Sequence, residues 1–210
     1  MKVIVVAGDI AGRVDASGEA APAGFAATVA TAAAAAGSKV ELVTRIGEDA
    51  AGDAIILALA RAGIGHVATL RDAGRRTPVL GSPHDEAGPD LDDDATSTTA
   101  ESPPGPMLDG GDVGLALRYL SDYRVIVVAH AADRDLLDEV VTAAGWSGAR
   151  LVVVASPGIE VAVPNDAIVI EAEADAEAVA VRVGRYAAAI DRGGEPDTAY
   201  AVLTGANAES

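Results

Sequence analysis

The sequence predicts a three-layer α/β/α sandwich around a mostly parallel central sheet. Three observations predict it. Short continuous apolar runs (Val3-Ile4-Val5-Val6-Ala7, Val125-Ile126-Val127-Val128, Leu151-Val152-Val153-Val154) read as strands buried on both faces. Helical patterns lie between these runs, as crossover connections of a parallel sheet require. Half of the 210 residues are apolar while aromatics make up only 3%, so a core of Ala, Val, Leu and Ile suffices for one domain, 1–210.

Residues 1–7 form the first strand, ended by Gly8-Asp9. Residues 25–36 are an Ala-rich helix stopped by Gly37, and 39–45 a second strand. Residues 49–62 are a helix with Ile55, Ile56, Leu59 and Ala62 as its apolar positions, closed by Gly63. Short strands follow at 67–70 and 78–80. Residues 84–109 break the pattern with Asp90, Asp92, Asp93, Asp94, a Thr/Ser cluster and four prolines. So little apolar surface cannot offset the entropy of ordering, which predicts a long flexible acidic loop. Its acid run reads as a solvated linker, with a divalent-cation site as the alternative. Regular structure resumes with a helix at 113–120, a strand at 123–129, a helix at 135–144 and strands at 150–155 and 167–170. A helix at 175–190 and a strand at 199–203 complete the series.

Composition excludes several classes. Without cysteine there is no disulfide framework, thiolate metal site or sulfur nucleophile. With 32 acidic residues against 15 cationic ones, the net charge of -17 repels phosphate backbones, so no nucleic-acid partner is expected. The apolar runs are too short to span a bilayer or form a signal-peptide core, which predicts no membrane partner and a cytoplasmic location.

Chemistry-bearing residues are sparse. Gly8-Asp9-Ile10-Ala11-Gly12 follows a strand but lacks the G-x-G-x-x-G spacing of a dinucleotide turn. His66, His84 and His130 show no metal-ligand spacing. His130 lies at the C-terminal end of a strand, where ligands of open α/β sheets collect, although packing is the commoner role there. Ser156-Pro157-Gly158 ends the next strand without a nucleophile-elbow pattern. The most informative stretch is Arg45-Ile46-Gly47-Glu48-Asp49-Ala50-Ala51-Gly52: a strand end, a glycine turn, and Asp49 placed to cap the following helix.

As a pattern, that stretch resembles the R-x-G-x-D-x-x-G segment of the ribokinase-like (PfkB) carbohydrate kinases. Val3 to Gly8 is similar to that family's first strand. Pro22-Ala23-Gly24-Phe25-Ala26-Ala27-Thr28 is similar to its glycine-rich helix start, and Arg61-Ala62-Gly63-Ile64 and Thr77-Pro78-Val79 continue the likeness. The resemblance implies a ribokinase-like sandwich and ATP-dependent phosphorylation of a sugar, nucleoside or similar alcohol. It implies a general-base aspartate in a G-A-G-D motif and backbone amides stabilising the transferred phosphate.

The chain departs from that pattern. It has no G-A-G-D, and Thr204-Gly205-Ala206-Asn207 is similar only to an earlier T-x-G segment. The C-terminal nucleotide-binding part is thus expected to be missing. Sixteen residues separate Gly8 from Phe25, a gap expected to be too short for the family's β lid. Arg13 stands where a sugar-contacting aspartate is expected, Ala23 in place of a glycine and Thr28 in place of a substrate-contacting asparagine. The N-x-x-E motif associated with magnesium becomes Ala172 with Asp175, leaving Asp175 as the metal-ligand candidate of that motif.

These departures predict a non-catalytic homologue, without a cofactor, that binds a small ligand or a partner. Gly8, Asp9, Gly24, Thr28 and His130 are its candidate ligand-binding residues. The alternative is an active kinase using ATP and Mg2+ with a relocated base at Asp9, Asp49 or Asp53. A third reading is a subunit completed by another chain, or a homodimer, paired through a sheet edge at 199–203.

Overall fold

The computed structural model describes residues 3–14, 18, 20–80, 105–120, 122–129, 133–155, 162–171, 176–195 and 199. Six parallel strands form the central sheet: β1 (Val3–Ala7), β4 (Val40–Gly47), β5 (Thr69–Asp72), β7 (Tyr123–Ala129), β8 (Arg150–Ala155) and β9 (Ile168–Glu171). Their order is β5-β4-β1-β7-β8-β9.

Successive residues of each inner strand serve opposite faces, which is why the apolar runs are continuous. Ile4, Val6, Leu42, Val125, Val127 and Val152 pack on one side with α1 (Phe25–Ala35), α2 (Ala50–Arg61) and α5 (Ala176–Asp191). Val5, Val43, Ile126, Val128, Leu151 and Val153 pack on the other with α3 (Gly110–Tyr119) and α4 (Arg134–Ser147). The predicted three-layer fold is the observed one.

A second, three-stranded sheet has the order β3-β2-β6, with β2 (Ala11–Val14), β3 (Ala20–Ala23) and β6 (Val79–Leu80). This corrects the expectation that the gap after Gly8 is too short for strands. Two four-residue strands fit there because they pair antiparallel with each other, and the third comes from beyond β5. Other boundaries move for local reasons. α3 begins at Gly110 rather than at residue 113, because Asp109 and Asp112 form a reciprocal capping box around two glycines. β5 begins at Thr69 because Thr69 N–H donates to the His66 carbonyl and closes a turn over 67–68.

The outer strands of the large sheet are β5 and β9. Ala199, expected to open an edge strand, instead donates its N–H to the Glu195 carbonyl in a helical turn; residues 200–203 lie outside the described residues. So does most of the predicted acidic loop; residues 105–109 lead directly into α3. No helix among the described residues is long and apolar enough to cross a membrane.

α1 and α5 are in direct contact because residue 184 lacks a side chain. A Cβ on Gly184 would lie 2.5 Å from the Val29 carbonyl oxygen and 2.8 Å from the Ala32 Cβ. At the helix ends, the Arg192 guanidinium donates to the Ala36 carbonyl at 2.8 Å. Gly184→Val is therefore expected to destabilise the protein by about 1–3 kcal/mol through overpacking, read as a lowered Tm in calorimetry. An unchanged Tm would show that the helices separate freely.

Candidate functional site

The joint between β4 and α2 is closed by one carboxylate. Asp49 Oδ1 accepts from the Gly52 N–H at 2.8 Å and from the Thr77 hydroxyl at 2.8 Å; its Oδ2 accepts from the Thr77 N–H at 2.8 Å. The Thr77 hydroxyl in turn accepts from the Gly47 N–H at 3.0 Å. Both motif glycines are required by space: a Cβ on Gly47 would meet the Arg75 carbonyl oxygen at 2.6 Å, and one on Gly52 would collide with the Gly47 carbonyl oxygen. Burial pushes the Asp49 pKa up. The bonds from Gly52 and Thr77, with the nearby Arg71 charge, outweigh it and hold the carboxyl below its usual range.

Strand order reverses between β1 and β7, where an open α/β sheet normally forms its ligand crevice. Among the described residues the backbone packs closely there: a Cβ on Gly8 would lie 2.8 Å from the Ala129 carbonyl oxygen and 3.1 Å from the Ala26 Cβ. Next to it, Asp9 Oδ1 accepts the Leu108 N–H at 2.8 Å, fixing the approach to α3. Arg45 reaches the capping-box Asp112 at 2.8 Å.

Open space lies further out, in a groove of about 490 Å3 between the small sheet, α1 and α5. Arg13 borders it from β2, while Gly24, Thr28 and Thr31 border it from α1 and its N-cap. Glu177, Val181 and Arg185 recur every fourth residue on α5 and so share the face that borders the groove. Gly24 sits at φ 95°, a left-handed conformation that favours glycine, and the Thr28 hydroxyl donates to its carbonyl at 3.1 Å.

Of the residues singled out from sequence, Gly24 and Thr28 thus share one concave surface with Arg13. Gly8, Asp9, Asp49 and Asp53 do not line it. Asp53 pairs with Arg71 at 2.8 Å on the exposed side of α2. His130, Asp175, Ser156-Pro157-Gly158, Ala172 and 204–207 lie outside the described residues. Among the described residues no three His, Asp or Glu side chains gather as a metal ligand set. Sequence reasoning missed Thr31, Glu177 and Arg185; the four-residue spacing on α5 was the one available signal, and it is common to solvent-facing helices.

The six-stranded sheet between its helix layers is a ribokinase-like α/β fold. Residues 12–86 match the family model described as pfkB family carbohydrate kinase, a stretch that includes the Arg45–Gly52 motif and Thr77. Solved structures share the architecture. A protein described as a ribokinase II of E. coli, in complex with ATP and Mg2+, is 11% identical with a TM-score of 0.60, over 95% of this chain and 89% of that one. Ribokinase of Arabidopsis thaliana with ribose and ATP is 13% identical with a TM-score of 0.57, over 95% and 89%. Fructokinase of Xylella fastidiosa with bound ATP is 15% identical with a TM-score of 0.50, over 97% of this chain but 65% of that one. No curated protein matches the chain in sequence.

Removing the Asp49 carboxylate in Asp49→Ala is expected to cost roughly 1–2 kcal/mol, the upper range for a lost helix cap. Its folded-state pKa is depressed, so the stabilisation is present above the unfolded value near pH 4 and is lost as pH falls through the folded value. Denaturant melts of both proteins from pH 7 down to pH 2 check this. The gap between them should close at the acid end, and a pH-independent gap would refute the assignment.

Proposed function

We propose that this chain is a non-catalytic sugar-kinase homologue that holds a small ligand in the groove between the small sheet, α1 and α5. The observation that carries this reading is the separation of the candidate base carboxylates from the groove. A general base needs a free lone pair within hydrogen-bond reach of the substrate proton and a pKa near the working pH. Asp49 accepts three hydrogen bonds and is held acidic. Asp9 holds the Leu108 amide, and Asp53 is paired with Arg71. None of the three lines the groove. Among the described residues its lining bears Glu177 as the one carboxylate, and Arg13 where the resemblance expects an aspartate against a sugar.

The groove's volume lies within the range of small-molecule sites, about 300–1,000 Å3. The sugar kinases that share the fold bind ATP, so nucleotide binding is the discriminating measurement. Isothermal titration with ATP and Mg2+ is expected to give no micromolar binding. A panel of sugars and nucleosides is expected to give no ATP-dependent phosphorylation. Turnover that survives purification and is abolished by replacing Asp9, Asp49, Asp53 or Glu177 would establish the kinase reading instead.

A further inference from the structure

On the other side of the sheet, α3 turns one flank to α4 and leaves another open beside the β5 edge. A Cβ on Gly114 would lie 2.6 Å from the Glu139 carboxylate, which marks the flank that α4 covers. Asp112, Leu115, Ala116 and Tyr119 recur at three- and four-residue spacing and form a second stripe on α3. With Val67 and Leu70 of the β5 side, this stripe borders a groove of about 270 Å3. Asp112 is the one charged group among the described residues that line it; it is almost buried and pairs with Arg45 at 2.8 Å. Two of the apolar lining residues stand out into solvent, Tyr119 at 80% exposure and Val67 at 78%. An exposed aromatic ring beside an apolar recess is the kind of patch that marks a contact surface.

We infer that this groove is the contact surface of a two-fold dimer of this chain, in which Tyr119 of each copy enters the groove of the other. One surface offers both a projecting ring and a recess, which is the self-complementarity a two-fold contact requires. The sizes agree, since an apolar cavity of about 150 Å3 already admits a benzene ring. Each seated tyrosine removes about 150–250 Å2 from water. Two of them, with Val67, Leu70, Leu115 and Leu120 around each, approach the lower bound of specific interfaces, about 1,200 Å2 in total. The dimer is therefore a weak one whose population follows concentration.

Charge favours a second copy over other occupants. Two chains at -17 repel each other, so they meet only where acids are scarce, and the lining of this groove meets that condition. A basic peptide, which the net charge would attract, finds no free carboxylate in the lining, because Asp112 is already held by Arg45. The stretch between Leu80 and Gly105 suits the groove no better, since Leu91 is its one large apolar residue.

Sedimentation velocity on the full chain, over a dilution series at low and high salt, tests the inference. A monomer–dimer equilibrium in the micromolar range is expected, and it should tighten with salt as the repulsion between the two acidic copies is screened. Tyr119→Ala is expected to weaken the dimer about tenfold or more, and Leu115→Glu, which puts a charge into a dry contact, to abolish it. Both side chains are exposed in the monomer, so the Tm of Tyr119→Ala in dilute solution should not move and that of Leu115→Glu should move little. Trp146→Ala removes an equally exposed ring that does not line the groove and should leave the equilibrium unchanged. A monomer at every concentration and salt overturns the inference. So does a dimer that salt dissociates, one that both groove variants leave intact, or one that Trp146→Ala weakens as much as Tyr119→Ala.

Discussion

The upper rim of the molecule depends on the Asp49 carboxylate. Its two oxygens bind α2 through Gly52 and the segment before β6 through Thr77, so a helix start and a distant strand are fixed by one group. From Thr77 the connection continues covalently to Pro78, whose carbonyl accepts the Gly12 N–H at 2.7 Å. β6 thereby pairs with β2, and β2 carries Arg13 to the groove. A short small sheet has little apolar area of its own, and strands this short are marginal alone. The position of Arg13 is therefore set by hydrogen bonds that begin at the end of β4.

This arrangement changes what the family motif means here. Gly47 and Gly52 are required because backbone occupies the space a Cβ would take, and Asp49 is required because three donors converge on it. Arg45 is absorbed by Asp112 at the start of α3. Each of these four motif residues has a structural reason, and none needs a substrate. The match to the carbohydrate kinase model thus describes a scaffold that bends β4 sharply into α2 and positions a small sheet above it. Such a scaffold is compatible with several chemistries, because function resides in the side chains placed on it.

Much of the large sheet was legible in the sequence because its strands are buried on both faces, and an unbroken β-branched run has few other uses. Of the small sheet, β6 was predicted at 78–80, but β2 and β3 were not. Ala11-Gly12-Arg13-Val14 and Ala20-Ala21-Pro22-Ala23 contain neither an apolar run nor a clean alternation, and their pairing depends on partners outside each segment. Asp49 was legible as a cap because capping is local, whereas its bonds to Thr77 span 28 positions and leave no local pattern. The groove divides in the same way. Arg13, Gly24 and Thr28 stand in or beside recognisable segments, but Glu177 and Arg185 meet them only because Gly184 lets α5 approach α1.

Folding gives no reason for the two arginines of the groove. Exposed charges contribute little to stability even when paired, roughly 0–1 kcal/mol, and among the described residues these are not paired. Net charge gives no reason either, since a chain at -17 repels small anions at long range. That repulsion is screened within about 8 Å at physiological ionic strength, so a ligand already at the groove responds to the local charges and not to the total. Among the described residues, two guanidiniums, one carboxylate and a helix N-terminus border the groove.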